Sequence, residues 1–141
     1  MEISIVKWEN AESSLRLIRQ RVFIEEQNVP EDLEWDSLDK QAIHILGKEG
    51  NHPVACARLI KDQILGRVAV LKDYRGHGWG DRLIHAAEQY LLERGKARLS
   101  LSAQANSYPF YFKNGYRHDE EMVWDAGIPH LKMTKILSRP N

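Results

Sequence analysis

The chain has 141 residues, 43% hydrophobic and 28% charged, the balance of a globular protein rather than of a disordered or membrane-spanning one. Lys+Arg and Asp+Glu are equal at 20 each, which removes any global pull toward nucleic acid or an anionic membrane. The single cysteine, Cys56, has no partner for an internal disulfide, so the expected compartment is reducing and cytoplasmic.

The length fits one domain over residues 1–141, with a core of its own. No basic start leads into an apolar leader, and no stretch nears the roughly 20 apolar residues that span a bilayer. Residues 3–8 read as a first strand. Residues 13–23 read as a helix, with Leu15, Ile18 and Val22 at helical spacing. An acidic stretch follows, carrying Glu25, Glu26, Glu34, Asp36 and Asp39. Residues 42–46 and 54–60 form a hairpin about Gly50-Asn51-His52-Pro53, and Cys56 reads as a buried strand residue within it. Residues 64–71 make another strand, with Ile64, Val68 and Val70 on one face.

The clearest helix runs over residues 78–94. Leu83, Ala87, Tyr90, Leu91 and Arg94 recur at its period, and Gly95 stands where a helix stops. In residues 99–103 apolar and polar side chains alternate as in a strand. Residues 106–113 suggest a short helix with Pro109 near its start. Residues 122–124 and 131–137 read as closing strands around Gly127-Ile128-Pro129. The order implies an α/β (α+β) fold with a largely antiparallel sheet. Only the strand–helix–strand unit over residues 64–103 needs a parallel crossover.

The segment Arg75-Gly76-His77-Gly78-Trp79-Gly80 lies between that strand and the long helix. A helix N-terminus presents unpaired N–H groups and a positive dipole end, which attract phosphate. Glycines let the backbone approach the anion, and Arg75 adds a charged donor. A Walker loop would end in Gly-Lys-Ser/Thr, which is absent. A dinucleotide fingerprint would need glycine where Asp81 stands. A loop that merely turns the chain is the plain alternative.

Arg75-x-x-Gly78-x-Gly80 after Val68-Ala69-Val70 resembles the acetyl-CoA motif of the GNAT family of N-acetyltransferases. Phe110-Tyr111-Phe112-Lys113-Asn114-Gly115-Tyr116 resembles that family's tyrosine-x-x-x-glycine-aromatic ending. Arg21-Val22-Phe23-Ile24-Glu25-Glu26-Gln27, Ala103-Gln104 and Gly127-Ile128-Pro129-His130 are similar to its ElaA-like (YjcF-like) subgroup. The resemblance implies a sheet of about seven strands splayed between the fourth and fifth. It implies acetyl-CoA as cofactor, an amine as acceptor and a possible homodimer. Val68, Ala69 and Val70 would offer backbone groups to the pantetheine arm. Arg75 and the loop Gly76, His77, Gly78, Trp79, Gly80 and Asp81 would hold the pyrophosphate. Gln104 takes the place of a common asparagine, and Tyr111 that of the general acid. A phenol there can protonate the leaving thiolate, and a backbone N–H near Val70 can stabilise the carbonyl oxygen. The competing reading of Tyr111 is an aromatic packed beneath the site.

The attacking amine must be neutral, and at pH 7 only about one lysine-like amine in 10³ is. Many members of the family place a glutamate base on the fourth or fifth strand, yet this chain has no carboxylate in residues 64–71 or 99–103. Glu25, Glu26, His44 and His130 are the candidates elsewhere. The acidic stretch through Glu34, Asp36 and Asp39 either attracts a cationic amine or is a solvated loop. Trp35, Trp79 and Trp124 read first as core residues. His85-x-x-Glu88 has no second half, so no metal site is expected. The acceptor stays open among polyamine, aminoglycoside, amino acid and peptide amine. A non-catalytic acyl-CoA-binding module is the alternative function.

Overall fold

The computed structural model describes residues 1–61, 63–125 and 128–138, and the side chains of residues 119–128 lie outside that description. Strand β1 (Glu2–Lys7) runs straight into helix α1 (Trp8–Arg19), so Trp8 opens the helix instead of closing the strand. The chain then widens into a π-helical segment, Gln20–Glu26, and a short helix α2 (Glu31–Glu34) follows. β2 (Ile43–Glu49), β3 (His52–Ile60) and β4 (Ile64–Val70) form a meander. Helix α3 (Trp79–Glu93) crosses over to β5 (Arg98–Gln104). Helix α4 (Tyr108–Lys113), β6 (Arg117–Asp125) and β7 (Ile128–Ile136) complete the chain, with Gly127 of the last turn outside the described residues.

These strands make one seven-stranded sheet in the order β1-β2-β3-β4-β5-β7-β6. β2, β3 and β4 follow one another as antiparallel neighbours, and the one parallel pair among the described residues, β4 with β5, is joined by the crossover helix α3. Helix α3 ends in the paired bonds of a Schellman cap, Lys96 N–H to Leu91 O at 2.9 Å and Gly95 N–H to Leu92 O at 3.0 Å. Among the described residues no helix is long and apolar enough to cross a membrane.

Each face of the sheet buries its own apolar cluster. Helix α1 covers one face, packing Leu15, Ile18 and Val22 with Leu46, Cys56 and Ala69. Burial pushes the Cys56 thiol up to about 12, which leaves it a packing residue. Helix α3 covers the other face with Trp79, Leu83, Ile84, Ala87 and Leu91. The expected stripe on this helix is corrected at two positions: Ile84 is buried and Arg94 is exposed. Trp79 is fully buried, and a Cβ on Gly47 would lie 2.7 Å from its ring. Gly47→Ala therefore forces a core indole to move. The expected cost is about 1–3 kcal/mol, read as a lower urea midpoint at unchanged slope. A variant as stable as the parent would show that the indole has room to shift.

β4 departs from the expected alternation. Its register against β3 slips between Cys56↔Ala69 and Arg58↔Gly66, so β4 carries one extra residue at a β-bulge. Arg67 sits there at φ +51°, a left-handed conformation rare outside glycine. Before the bulge Leu65 faces α3, and after it Val68 and Val70 do, while Ala69 joins the opposite cluster. The expected partner of Val68 and Val70, Ile64, is instead exposed. One added residue reverses the side on which each later side chain falls.

Candidate active site

β4 and β5 pair only at Ile64↔Ser100 and Leu65↔Leu101. Beyond Leu65 the strands part, and the β5-facing edge of β4 has no strand partner. Two cavities open into this gap. One, of about 620 Å³, is lined by Val68, Ala69, Val70, the glycine loop and the start of α3. The other, of about 270 Å³, lies toward α2 and is lined by Phe23, Arg58, Arg67 and His130 among others. Gln27, Val68, Gln104, Ser107 and Tyr111 line both and mark their seam. Gln104 Nε2 donates to Gln27 Oε1 across that seam at 2.7 Å.

The larger cavity carries the features of an anion cradle. Gly76 and Gly78 have φ of +82° and +89°, and a Cβ on either would meet nothing within 4 Å. They are glycines for conformation, since other residues rarely adopt such angles. Gly80 is a glycine for space, because a Cβ there would lie 2.9 Å from Phe110. Gly78 caps α3, so the first amides of a long helix open beside this cavity. Arg75, Gly76, Gly78, Trp79, Gly80 and Asp81 line it, whereas His77 is exposed and does not. Trp79 contributes backbone, its ring being buried under β2. These groups fit a diphosphate.

Arg75 is already engaged. Its Nε donates to Val70 O at 2.9 Å, and Nη1 and Nη2 hold both Glu26 oxygens at 2.7 and 2.8 Å. The Arg75 hydrogen bonds keep the Glu26 carboxyl below the usual range, so Glu26 is a weak base. This corrects its candidacy, because a paired carboxylate holds its partner rather than a proton. Glu25 is exposed and lines neither cavity. The π-helical segment turns Phe23 and Gln27 toward the smaller cavity and leaves Glu25 facing out.

Tyr111 stands on α4 with only 6% of its surface exposed. Its ring meets Phe110 and Tyr116 edge-on, with centroids 5.1 and 6.0 Å away. Burial raises its phenol far above the ordinary value, so the proton stays on. The hydroxyl has no hydrogen-bond partner among the described residues. Tyr116, in contrast, donates to Glu88 at 2.8 Å, and Lys135 holds the same carboxylate at 3.1 Å.

The part of the acidic stretch that carries Glu34, Asp36 and Asp39 is neither a solvated loop nor a free anionic surface. Arg19, 1% exposed, donates through Nε to Glu34 and through Nη1 to Asp39, each at 2.7 Å. Arg58 holds Asp36 and Asp39 at 2.8 and 3.1 Å. Arg67 donates to Glu34 at 3.0 Å and to Asp36 at 3.4 Å. Three arginines thus neutralise three carboxylates, and Trp35 stacks on Arg16 and Arg19 at 4.7 and 5.0 Å. The signal for this was Arg58 within an apolar strand, since a buried charge demands partners. Gln27, Ser107 and Arg67 carried no comparable signal. His44 lies in the same block, its Nε2 donating to Asp39 O at 2.9 Å. It lines neither cavity. His130, opposite Gln104 in the β5–β7 register, does line the smaller cavity. The side chain of Trp124 is outside the described residues.

The sequence profile of the acetyltransferase (GNAT) domain matches residues 9–137. The chain belongs to the GNAT family. It is 39% identical over 139 residues to the uncharacterized N-acetyltransferase YjcF of Bacillus subtilis, covering 96% of this chain and 99% of that one. Protein ElaA of Escherichia coli is 32% identical over 130 residues, covering 86% and 85% of the two chains. The crystal structure of E. coli ElaA superimposes with a TM-score of 0.85 at 28% identity, over 96% of this chain and 99% of that one. The protein is thus an ElaA/YjcF-like GNAT member. Its family chemistry is acyl-CoA-dependent N-acetyl transfer, and the splayed seven-stranded sheet is the family's fold.

Proposed function

We propose that this protein moves an acetyl group from acetyl-CoA to a primary amine by direct attack in a ternary complex, with Tyr111 as general acid. The observation that carries this reading is the position of Tyr111, a protonated phenol without a hydrogen-bond partner among the described residues, on the wall shared by two cavities. The larger cavity takes the cofactor. Val68, Ala69 and Val70 offer backbone groups along the unpaired β4 edge. The amides of Gly76 to Asp81 receive the pyrophosphate, and Gln104 closes the seam against Gln27. Arg75, tied to Glu26, joins the segment after α1 to the glycine loop and contributes positive charge there. Bound acetyl-CoA supplies an activated acyl thioester.

The smaller cavity takes the amine. An N–C bond forms as the C–S bond breaks, and Tyr111 Oη gives its proton to the departing sulfur. A backbone N–H near Val70 holds the carbonyl oxygen as charge develops on it. His130, on the acceptor-side wall, is the group best placed to take the proton the amine releases. Glu34, the carboxylate on that wall, is committed to Arg19 and Arg67.

Purified protein, acetyl-CoA and a panel of amines test the reading through release of free CoA thiol. The expected result is thiol release that depends on both enzyme and amine. CoA binding without turnover across a broad panel would favour the alternative, a non-catalytic acyl-CoA-binding module.

A further inference from the structure

We infer that the acceptor is an amine carrying a carboxylate, which Arg67 and Arg58 bind in the smaller cavity. The inference rests on the assignment of that cavity to the acceptor. Both arginines line it, and neither is saturated by its protein partners. Arg58 reaches its carboxylates through Nη1 alone. Its Nη2 makes no hydrogen bond among the described residues, while its unpartnered Nε is sealed from solvent and so beyond a ligand's reach. Arg67 uses Nε and Nη2 on Glu34, Asp36 and two carbonyls, so Nη1 makes no hydrogen bond among the described residues. A donor left without a partner away from water is costly. Two incompletely used guanidinium groups on one cavity wall mark a place where oxygen is expected.

The charge on that wall selects the kind of oxygen. Three arginines balance Glu34, Asp36 and Asp39, so the cluster offers donors without a large excess of positive charge. A singly charged carboxylate brings less uncompensated charge to this half-buried wall than a phosphate dianion would. A polyamine or aminoglycoside would need free carboxylates. Glu34, the cavity's carboxylate among the described residues, already accepts from two arginines. The bulge at Arg67 serves the arrangement, since its left-handed backbone is held by bonds from its own guanidinium to Leu33 O and Glu34 O at 3.3 and 3.2 Å. The amine end then points toward the seam, where Tyr111 lies, with His130 on the wall of the smaller cavity.

The test is calorimetry on CoA-loaded protein with amino acids of graded side-chain size. Each is matched with its amide, with the amine lacking the carboxyl group and with a diamine of equal length. The best-binding amino acid should bind at least about tenfold more tightly than its amide, the worth of one charge-assisted hydrogen bond. Arg67→Gln should bring that ratio close to one. Amides or diamines binding as tightly as the acids would overturn the inference, and so would a panel in which nothing binds. Should Arg67→Gln fail to fold, the ratio on the unmodified protein still decides. A clear carboxylate preference in binding, with no thiol released from any member, would leave this inference standing and remove the acetyl-transfer proposal instead.

Discussion

Tyr111→Phe lowers the kcat/KM for acetyl transfer by about 10²-fold or more, with CoA affinity and folding stability close to those of the unmodified protein. The size follows from what a positioned general acid contributes, typically 10²–10⁴ in rate. The direction follows from the site. Removing Oη leaves the ring, which packs against Phe110 and Tyr116, in place. No protein group loses a hydrogen bond, because the hydroxyl has no partner among the described residues. A purely structural tyrosine would therefore show almost no effect on either stability or rate. The phenol's raised value also means that its protonated form persists across the accessible pH range. An alkaline fall in rate below pH 9 would belong to another group. Steady-state kinetics with CoA thiol detection, beside calorimetry for CoA, separates these outcomes. Unchanged turnover in the phenylalanine variant would remove Tyr111 from the chemistry and leave a binding module.

Arg19→Met destabilises the fold by about 3–5 kcal/mol at neutral pH, the cost of breaking a buried ion pair by removing one partner. That is a large share of the roughly 5–15 kcal/mol by which domains are stable. Arg19 is nearly inaccessible, and its bonds to Glu34 and Asp39 tie α1 to α2 and to the segment before β2. Arg58 and Arg67 remain after the substitution, but Asp39 and Glu34 each lose their closest partner. Urea unfolding measures the loss, and a cost under about 1 kcal/mol would show that the block relaxes around methionine.

The same block gives the unmodified protein a pH dependence with a definite sign. Burial lowers the His44 value, so the folded ring stays neutral where the unfolded ring, near 6.5, takes up a proton. Stability falls as pH drops below about 6.5, because only the unfolded chain gains that proton. Asp39 adds a second loss at lower pH. Burial alone would lift its carboxyl, but the Arg19 hydrogen bond and the charges of Arg19 and Arg58 outweigh it, and the net direction is down. Its contribution is complete above the unfolded value of about 3.9 and disappears as pH falls through the lower folded value.

Much of the fold was legible because it rests on local pattern. The period of α3, the glycine after it, the hairpin turn and the alternation of β5 are properties of short stretches. The glycine loop and Tyr111 were legible for the same reason, each being a spacing within a few residues. The errors came where distant segments meet. Ile64 was placed on the face of Val68 and Val70 because nothing in residues 64–71 announces a bulge. The acidic stretch was read as a substrate attractor or as solvated because its arginine partners lie 15 to 33 positions away. Glu25 was placed beside the acceptor because a π-helical segment does not differ in composition from an α-helical one.

By itself, then, the amino-acid order determined that a strand, a glycine turn and a long helix would follow one another, and that a phenol would follow on a short helix. These are outcomes of backbone geometry and side-chain period, which act over a few residues. Only the tertiary structure decided that β4 and β5 part after Leu65, that Gln27 and Gln104 meet across the gap, and that two arginines on the wall of the smaller cavity keep donors unused among the described residues. Those facts depend on register and on desolvation, and both are set only when segments far apart in the chain compete for the same buried space.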